Sequence, residues 1–137
     1  MNGQTLRVKG GTKHYPIYLR NNEHYELIER IIPLVKNNQV VVLSDERVGR
    51  LYASDFSLAL ASKGIESTLI TVTGGERSKS LSTAEKVYTQ LVDANADRET
   101  ILVAYGGGVI GDLGGFIAST FMVNFKNIIF VYFVCFS

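Results

Sequence analysis

Near-continuous apolar runs punctuate the chain, and between them apolar residues recur at helical rather than alternating spacing. Gln39-Val40-Val41-Val42-Leu43, Thr68 to Val72, Ile101-Leu102-Val103-Ala104 and Asn127 to Val131 read as strands, the first of them as a parallel strand covered on both faces. After the first run, Leu51, Phe56, Leu58 and Leu60 predict a helix that stops at Gly64, whose missing Cβ suits a left-handed position. After the second, Val87, Leu91 and Val92 give the apolar face of a helix beginning near Ser82, where Ser82 and Glu85 stand at capping-box spacing. After the third, a helix from about Ile110 to Met122 carries small residues that permit close packing. Strand and helix therefore alternate, which predicts βαβ crossovers and a parallel sheet with helices on both faces.

Two β-rich runs precede this pattern. Thr5 to Lys9 and Tyr15 to Leu19, separated by Gly10-Gly11-Thr12-Lys13, predict an opening hairpin that flanks the main sheet. Asn22 is the candidate cap of a helix through Glu23 to Val35, with Tyr25, Ile28, Ile31 and Ile32 on one stripe and Pro33 kinking or shortening it.

Composition narrows the class without changing the picture. At 137 residues, 46% hydrophobic and 20% charged with 13 Gly and 2 Pro, the chain has one domain's length and none of the bias of fibrous or disordered proteins. A formal net charge of +1 gives no field for nucleic-acid binding. Cys135 has no second cysteine to pair with, and His14 and His24 lack a metal-like cluster around them, so a cytoplasmic setting is expected. The apolar run from Ile128 to Phe136 falls short of the roughly 18 residues that a membrane span requires. Nothing in Met1 to Gly11 has the apolar core of a signal peptide.

Ligands of open parallel sheets bind beyond the carboxyl ends of the strands. Here those ends carry Asp45, Gly74 to Lys79 and Gly106 to Asp112. Gly106, Gly108 and Gly111 make G-x-G-x-x-G between a strand and a helix, where a diphosphate can approach the backbone and meet the helix's unpaired N–H groups. No acidic residue follows Asp112, so the ribose-binding acid of an ordinary dinucleotide fold must come from elsewhere, with Asp45 the best candidate. Asp112 has two readings, as a carboxylate favoured by the helix dipole or as part of the site. Glu76 and Lys79 are likewise either a surface pair three residues apart or ligand contacts.

Gly75-Glu76-Arg77-Ser78-Lys79-Ser80-Leu81, Asp97-Arg98, and Leu102-Val103-Ala104-Tyr105-Gly106-Gly107-Gly108-Val109-Ile110-Gly111-Asp112-Leu113-Gly114-Gly115-Phe116 together resemble the 3-dehydroquinate synthases. The resemblance implies a Rossmann-like NAD-binding domain of a shikimate-pathway lyase. That enzyme converts 3-deoxy-arabino-heptulosonate 7-phosphate to 3-dehydroquinate and phosphate, with NAD and a divalent metal, zinc or cobalt. Carried over by position, Asp45, Glu46 and Arg47 match adenosine-side NAD contacts, while Gly75, Glu76 and Lys79 match a second cofactor loop. Gly107, Gly108, Val109, Gly111 and Asp112 match the diphosphate region. Gly74 departs from the acidic residue often found there. The implied partner is a sugar-phosphate substrate of the intact enzyme; a homodimer is the other partner considered, and neither nucleic acid nor membrane is expected.

The likeness runs to about residue 122, and residues 123–137 diverge. Val123-Asn124 stand in place of Arg-Gly, and Tyr132-Phe133-Val134-Cys135-Phe136 replace a turn whose threonines would contact NAD. The resemblance then implies a single truncated NAD-binding domain, without the second, helical domain, its metal ligands or catalytic residues, and inactive alone. The tail's composition resembles AT-rich DNA read out of frame, the alternative being a genuine short form. Two other readings stand beside the first: a 2-deoxy-scyllo-inosose synthase-like cyclase, which shares these cofactor motifs, and a noncatalytic nucleotide-binding fragment.

Overall fold

The computed structural model describes residues 4–11, 13–19, 24–36, 39–121 and 126–131, with side chains for those among 4–11, 26–36 and 39–121. Asn22, Met122 to Asn124 and residues 132–136, on which the first helix cap and the divergent tail were read, lie outside the described residues. So do the side chains of His14, His24 and Tyr25.

Four parallel strands, β3 (Gln39–Asp45), β4 (Glu66–Val72), β5 (Ile101–Gly106) and β6 (Lys126–Val131), form one sheet in the order β4-β3-β5-β6. β1 (Gln4–Gly10) and β2 (Lys13–Leu19) pair antiparallel in a sheet of their own. The expected hairpin is present, turned at Gly11 with φ +61, but it shares no ladder with the main sheet.

The alternation along each strand explains why both faces are apolar. Val41, Leu43, Leu102 and Ala104 face α4 (Leu81–Asp93) and α5 (Gly108–Phe121), where Val87, Leu91 and Ile117 are fully buried. Val40, Val42, Ile101, Val103 and Tyr105 face the opposite layer, α1 (His24–Ile31) and α3 (Ser54–Ala61), where Ile31, Phe56 and Leu60 are buried. Each such side chain contributes about 1.5–3 kcal/mol by leaving water, so a sheet apolar on one face only would forfeit half the core.

Several element edges differ from the sequence expectation for local reasons. The helix after β3 starts directly at Glu46, as α2 (Glu46–Val48), and passes through a π-helical turn at 49–53 into α3. Leu51 and Leu58 are 54% and 70% exposed, so of the four leucine and phenylalanine positions only Phe56 and Leu60 support that helix, joined by Ala53. Gly64 does close it, at φ +76, with Ile65 N–H donating to Leu60 O at 3.1 Å. Ser80, not Ser82, caps α4: its Oγ accepts from Thr83 N at 3.1 Å. The capping box at Ser82 is therefore displaced by a better cap one half-turn upstream, and Val92, expected on the apolar face, is 63% exposed. α1 ends at Ile31 and tightens into a 3-10 turn, Ile32–Leu34, with Pro33 inside it; Ile32 is 37% exposed rather than part of the buried stripe.

Candidate functional site

Because β3, β4 and β5 run parallel, their carboxyl ends lie at one edge of the sheet, and three connections begin there. Asp45 leads into α2, residues 73–80 lead from β4 to α4, and Gly106-Gly107 leads from β5 to α5.

Asp45 leaves β3 at φ −83, ψ 164, and its Oδ1 accepts from Val48 N at 2.8 Å. A carboxylate is among the preferred residues at an N-cap, so one oxygen is committed to the backbone of α2. Glu46 and Arg47 follow in that helix and are exposed.

The β4–α4 connection owes its path to two consecutive glycines, Gly74 at φ +92 and Gly75 at φ +75, conformations costly for any side chain but hydrogen. Gly74 also lies against β3: a Cβ there would come within 3.1 Å of Asp45 Cβ. Glycine in place of an acidic residue is what this approach requires. Gly74 N–H donates to the buried Ser78 Oγ at 2.9 Å, and Ser78 N–H donates to Gly75 O at 3.0 Å. These bonds close a 3-10 turn at Glu76–Ser78 and send Lys79 across to α5. Its Nζ lies 2.8 Å from Asp112 Oδ2 and 3.5 Å from Glu76 Oε2. The hydrogen bond to Asp112 is the main cause, with Coulombic help from Asp112 and Glu76, of a Lys79 pKa raised above its ordinary value. Glu76 and Lys79 thus form the pair three residues apart, and Lys79 also joins two loops of the edge.

The glycines of the third connection divide by role. A Cβ at Gly106 would sit 3.0 Å from Ile110 Cγ1, and one at Gly114 only 2.6 Å from Ala104 Cβ, so these two permit packing of α5 on β5. At Gly107 and Gly108 a Cβ would meet nothing within 4 Å. The backbone there is open at the start of a helix whose first N–H groups have no intrahelical partner, and Gly111 N–H bonds back to Gly107 O at 3.0 Å. Val109 and Gly111 are half-buried. The edge therefore offers an open glycine surface at a helix start, a carboxylate at the end of β3, and a lysine offsetting two nearby acids. That donor set fits a diphosphate flanked by a sugar diol.

Sequence reading missed Ser44 and Ser78. Ser44 Oγ donates to Tyr105 O at 2.7 Å with both residues fully buried; a small polar residue between the apolar run and Asp45 was the available signal. Among the described residues no group of three or more His, Cys, Asp or Glu is placed to hold a metal, and no helix is long and apolar enough to cross a membrane.

The order of strands and the glycine edge define a Rossmann-like α/β domain. Residues 69–131 match the family described as 3-dehydroquinate synthase N-terminal. The 3-dehydroquinate synthase of Clostridium beijerinckii is 35% identical over 127 residues, covering 91% of this chain and 36% of that protein. The one of Listeria monocytogenes is 36% identical over 118 residues, covering 85% and 32%. The chain thus spans about a third of the length of these relatives. A solved 2-deoxy-scyllo-inosose synthase, complexed with carbaglucose-6-phosphate, NAD+ and Co2+, superposes with a TM-score of 0.78 over 92% of this chain and 34% of its own, at 23% identity. That likeness is one of fold.

Proposed function

We propose that this chain is the NAD-binding portion of a 3-dehydroquinate synthase. In that role it would serve an enzyme that turns 3-deoxy-arabino-heptulosonate 7-phosphate into 3-dehydroquinate with release of phosphate. The observation that carries this reading is the convergence of Asp45, the Gly74 to Lys79 loop and the open Gly107-Gly108 backbone on one sheet edge. The diphosphate lies against Gly107, Gly108 and the α5 start, with Val109, Gly111 and Asp112 shaping that turn. Asp45, with Glu46 and Arg47, takes the adenosine side; Gly75, Glu76 and Lys79 form the loop across it. NAD supplies reversible hydride transfer when bound, and the residues here bind and orient it.

The curated relatives, at 35–36% identity, favour this substrate over that of 2-deoxy-scyllo-inosose synthase, whose likeness is at 23%. Turnover, and the divalent metal that goes with it, belong in this proposal to the roughly two thirds of the relatives' length that the chain does not span; the chain alone binds without catalysis. The same reading gives it a cytoplasmic setting.

Calorimetric titration with NAD+ tests the proposal. For this chain, which spans about a third of the relatives' length, saturable binding weaker than micromolar is expected, less favourable than about −8 kcal/mol. No saturable heat up to several millimolar, or release of 3-dehydroquinate by the chain alone, would contradict it.

A further inference from the structure

The ladder between β3 and β5 stops early. Its Cα partners run from Val40 with Ile101 to Leu43 with Ala104, whereas β3 continues beside β4 to Asp45 with Val72, and β5 continues beside β6 to Gly106 with Val131. The pairing of the two central strands therefore ends short of the carboxyl edge, between Asp45 and the glycine loop. One residue past the last pair, the ladder is replaced by a side chain: Ser44 Oγ donates to the carbonyl of Tyr105 at 2.7 Å. Both residues are 0% exposed. Gly49 seals the position from above, since a Cβ there would lie 3.7 Å from Ser44 Cβ and 3.0 Å from Thr71 Cγ2.

The Tyr105 carbonyl belongs to the peptide that enters Gly106, so its orientation sets the direction of the backbone through Gly107 and Gly108. The peptide bond is planar; turning this carbonyl turns the following N–H with it. Ser44 is also covalently next to Asp45. One buried hydroxyl thus ties the strand that enters the glycine loop to the residue next to the carboxylate, just past the end of the β3–β5 ladder.

We propose that Ser44 is a positioning residue for the dinucleotide: its hydroxyl sets where the Gly107 and Gly108 amides stand relative to Asp45. The inference rests on the reading of this edge as an NAD site. The test uses the full chain and its Ser44→Ala, Ser44→Cys and Ser44→Thr variants, followed by amide NMR without ligand, NAD+ titration on the same samples, and thermal melting. Removing the hydroxyl is expected to move the Gly106 to Gly108 amide resonances and weaken NAD+ binding about tenfold or more. Thr, which keeps the hydroxyl, should stay within about threefold of the parent. If Ser44→Ala does not fold, Ser44→Cys, of similar size but a weak donor, decides the matter by the same shifts. Unmoved glycine resonances, or parental affinity without the hydroxyl, would overturn the role of Ser44. A parent chain that gives no saturable NAD+ titration would instead overturn the site reading, while the ligand-free shifts still judge Ser44.

Discussion

Two adjacent glycines of α5 should respond to the same substitution with opposite sign. A Cβ at Gly114 would lie 2.6 Å from Ala104 Cβ, an atom fixed directly to β5, and 3.8 Å from Leu43 Cδ2; a Cβ at Gly115 would meet nothing within 4 Å. Gly→Ala inside a helix ordinarily stabilises by about 0.5–1 kcal/mol, and both variants share that gain. Gly114→Ala adds overpacking against a strand that cannot yield without shifting helix from sheet, a cost of about 1–3 kcal/mol. The helix gain cancels between the two, so Gly115→Ala should exceed Gly114→Ala by about 1–3 kcal/mol. For a domain of this size each kcal/mol moves the midpoint by roughly 3–5 °C, giving a separation of about 3–15 °C in thermal melting. The same contact sets how closely the start of α5 stands over the end of β5. If Gly114→Ala melts at or above Gly115→Ala, the close packing of α5 on β5 is wrong, and with it the height of the glycine loop above the sheet.

Ser80→Ala should cost about 1 kcal/mol in urea denaturation through loss of the α4 cap, while Ser82→Ala should leave stability within about 0.5 kcal/mol. Equal losses would restore the cap to Ser82. Gly108→Ala, into open space, should melt near the parent yet bind NAD+ at least about tenfold more weakly, because the added methyl occupies the approach of the diphosphate; parental affinity by titration would remove Gly108 from the site. The Lys79 ammonium has a folded pKa raised by Asp112. Its contribution is therefore fully present below the ordinary lysine pKa and is lost as pH rises through the higher folded value, well into the alkaline range. A Lys79 side-chain NMR titration should show that raised midpoint, returning toward the ordinary value in Asp112→Asn; a midpoint unaffected by Asp112→Asn would mean the ion pair does not form in solution.

What was legible in the sequence divides by physical cause. Val40 to Leu43 and Ile101 to Ala104 announced strands because burial on both faces removes any alternation, and the regular succession of strand and helix then implied a parallel sheet. Chemistry concentrated at strand ends also marked the sheet edge at which Asp45, Lys79 and Gly108 stand. Competition between neighbours was less visible. Ser80 and Ser82 are chemically equal caps until the path of the Gly74-Gly75 loop decides which one stands at the helix start. Leu51 and Leu58 read as core because apolar residues carry no mark of which side of a helix meets the sheet, and the π-helical turn at 49–53 shifts that side. The Lys79 to Asp112 contact and the Ser44 to Tyr105 bond join residues 33 and 61 apart, across strands whose pairing no local pattern specifies.

Titrating the isotope-labelled chain with NAD+ and mapping the shifted amides tests the convergence of three loops most directly. Shifts should cluster at Asp45 to Arg47, Gly75 to Lys79 and Gly107 to Asp112, moving together with one affinity, while β1 and the carboxyl end of α3 stay still. Shifts confined to one of the three segments, or centred elsewhere on the chain, would contradict it.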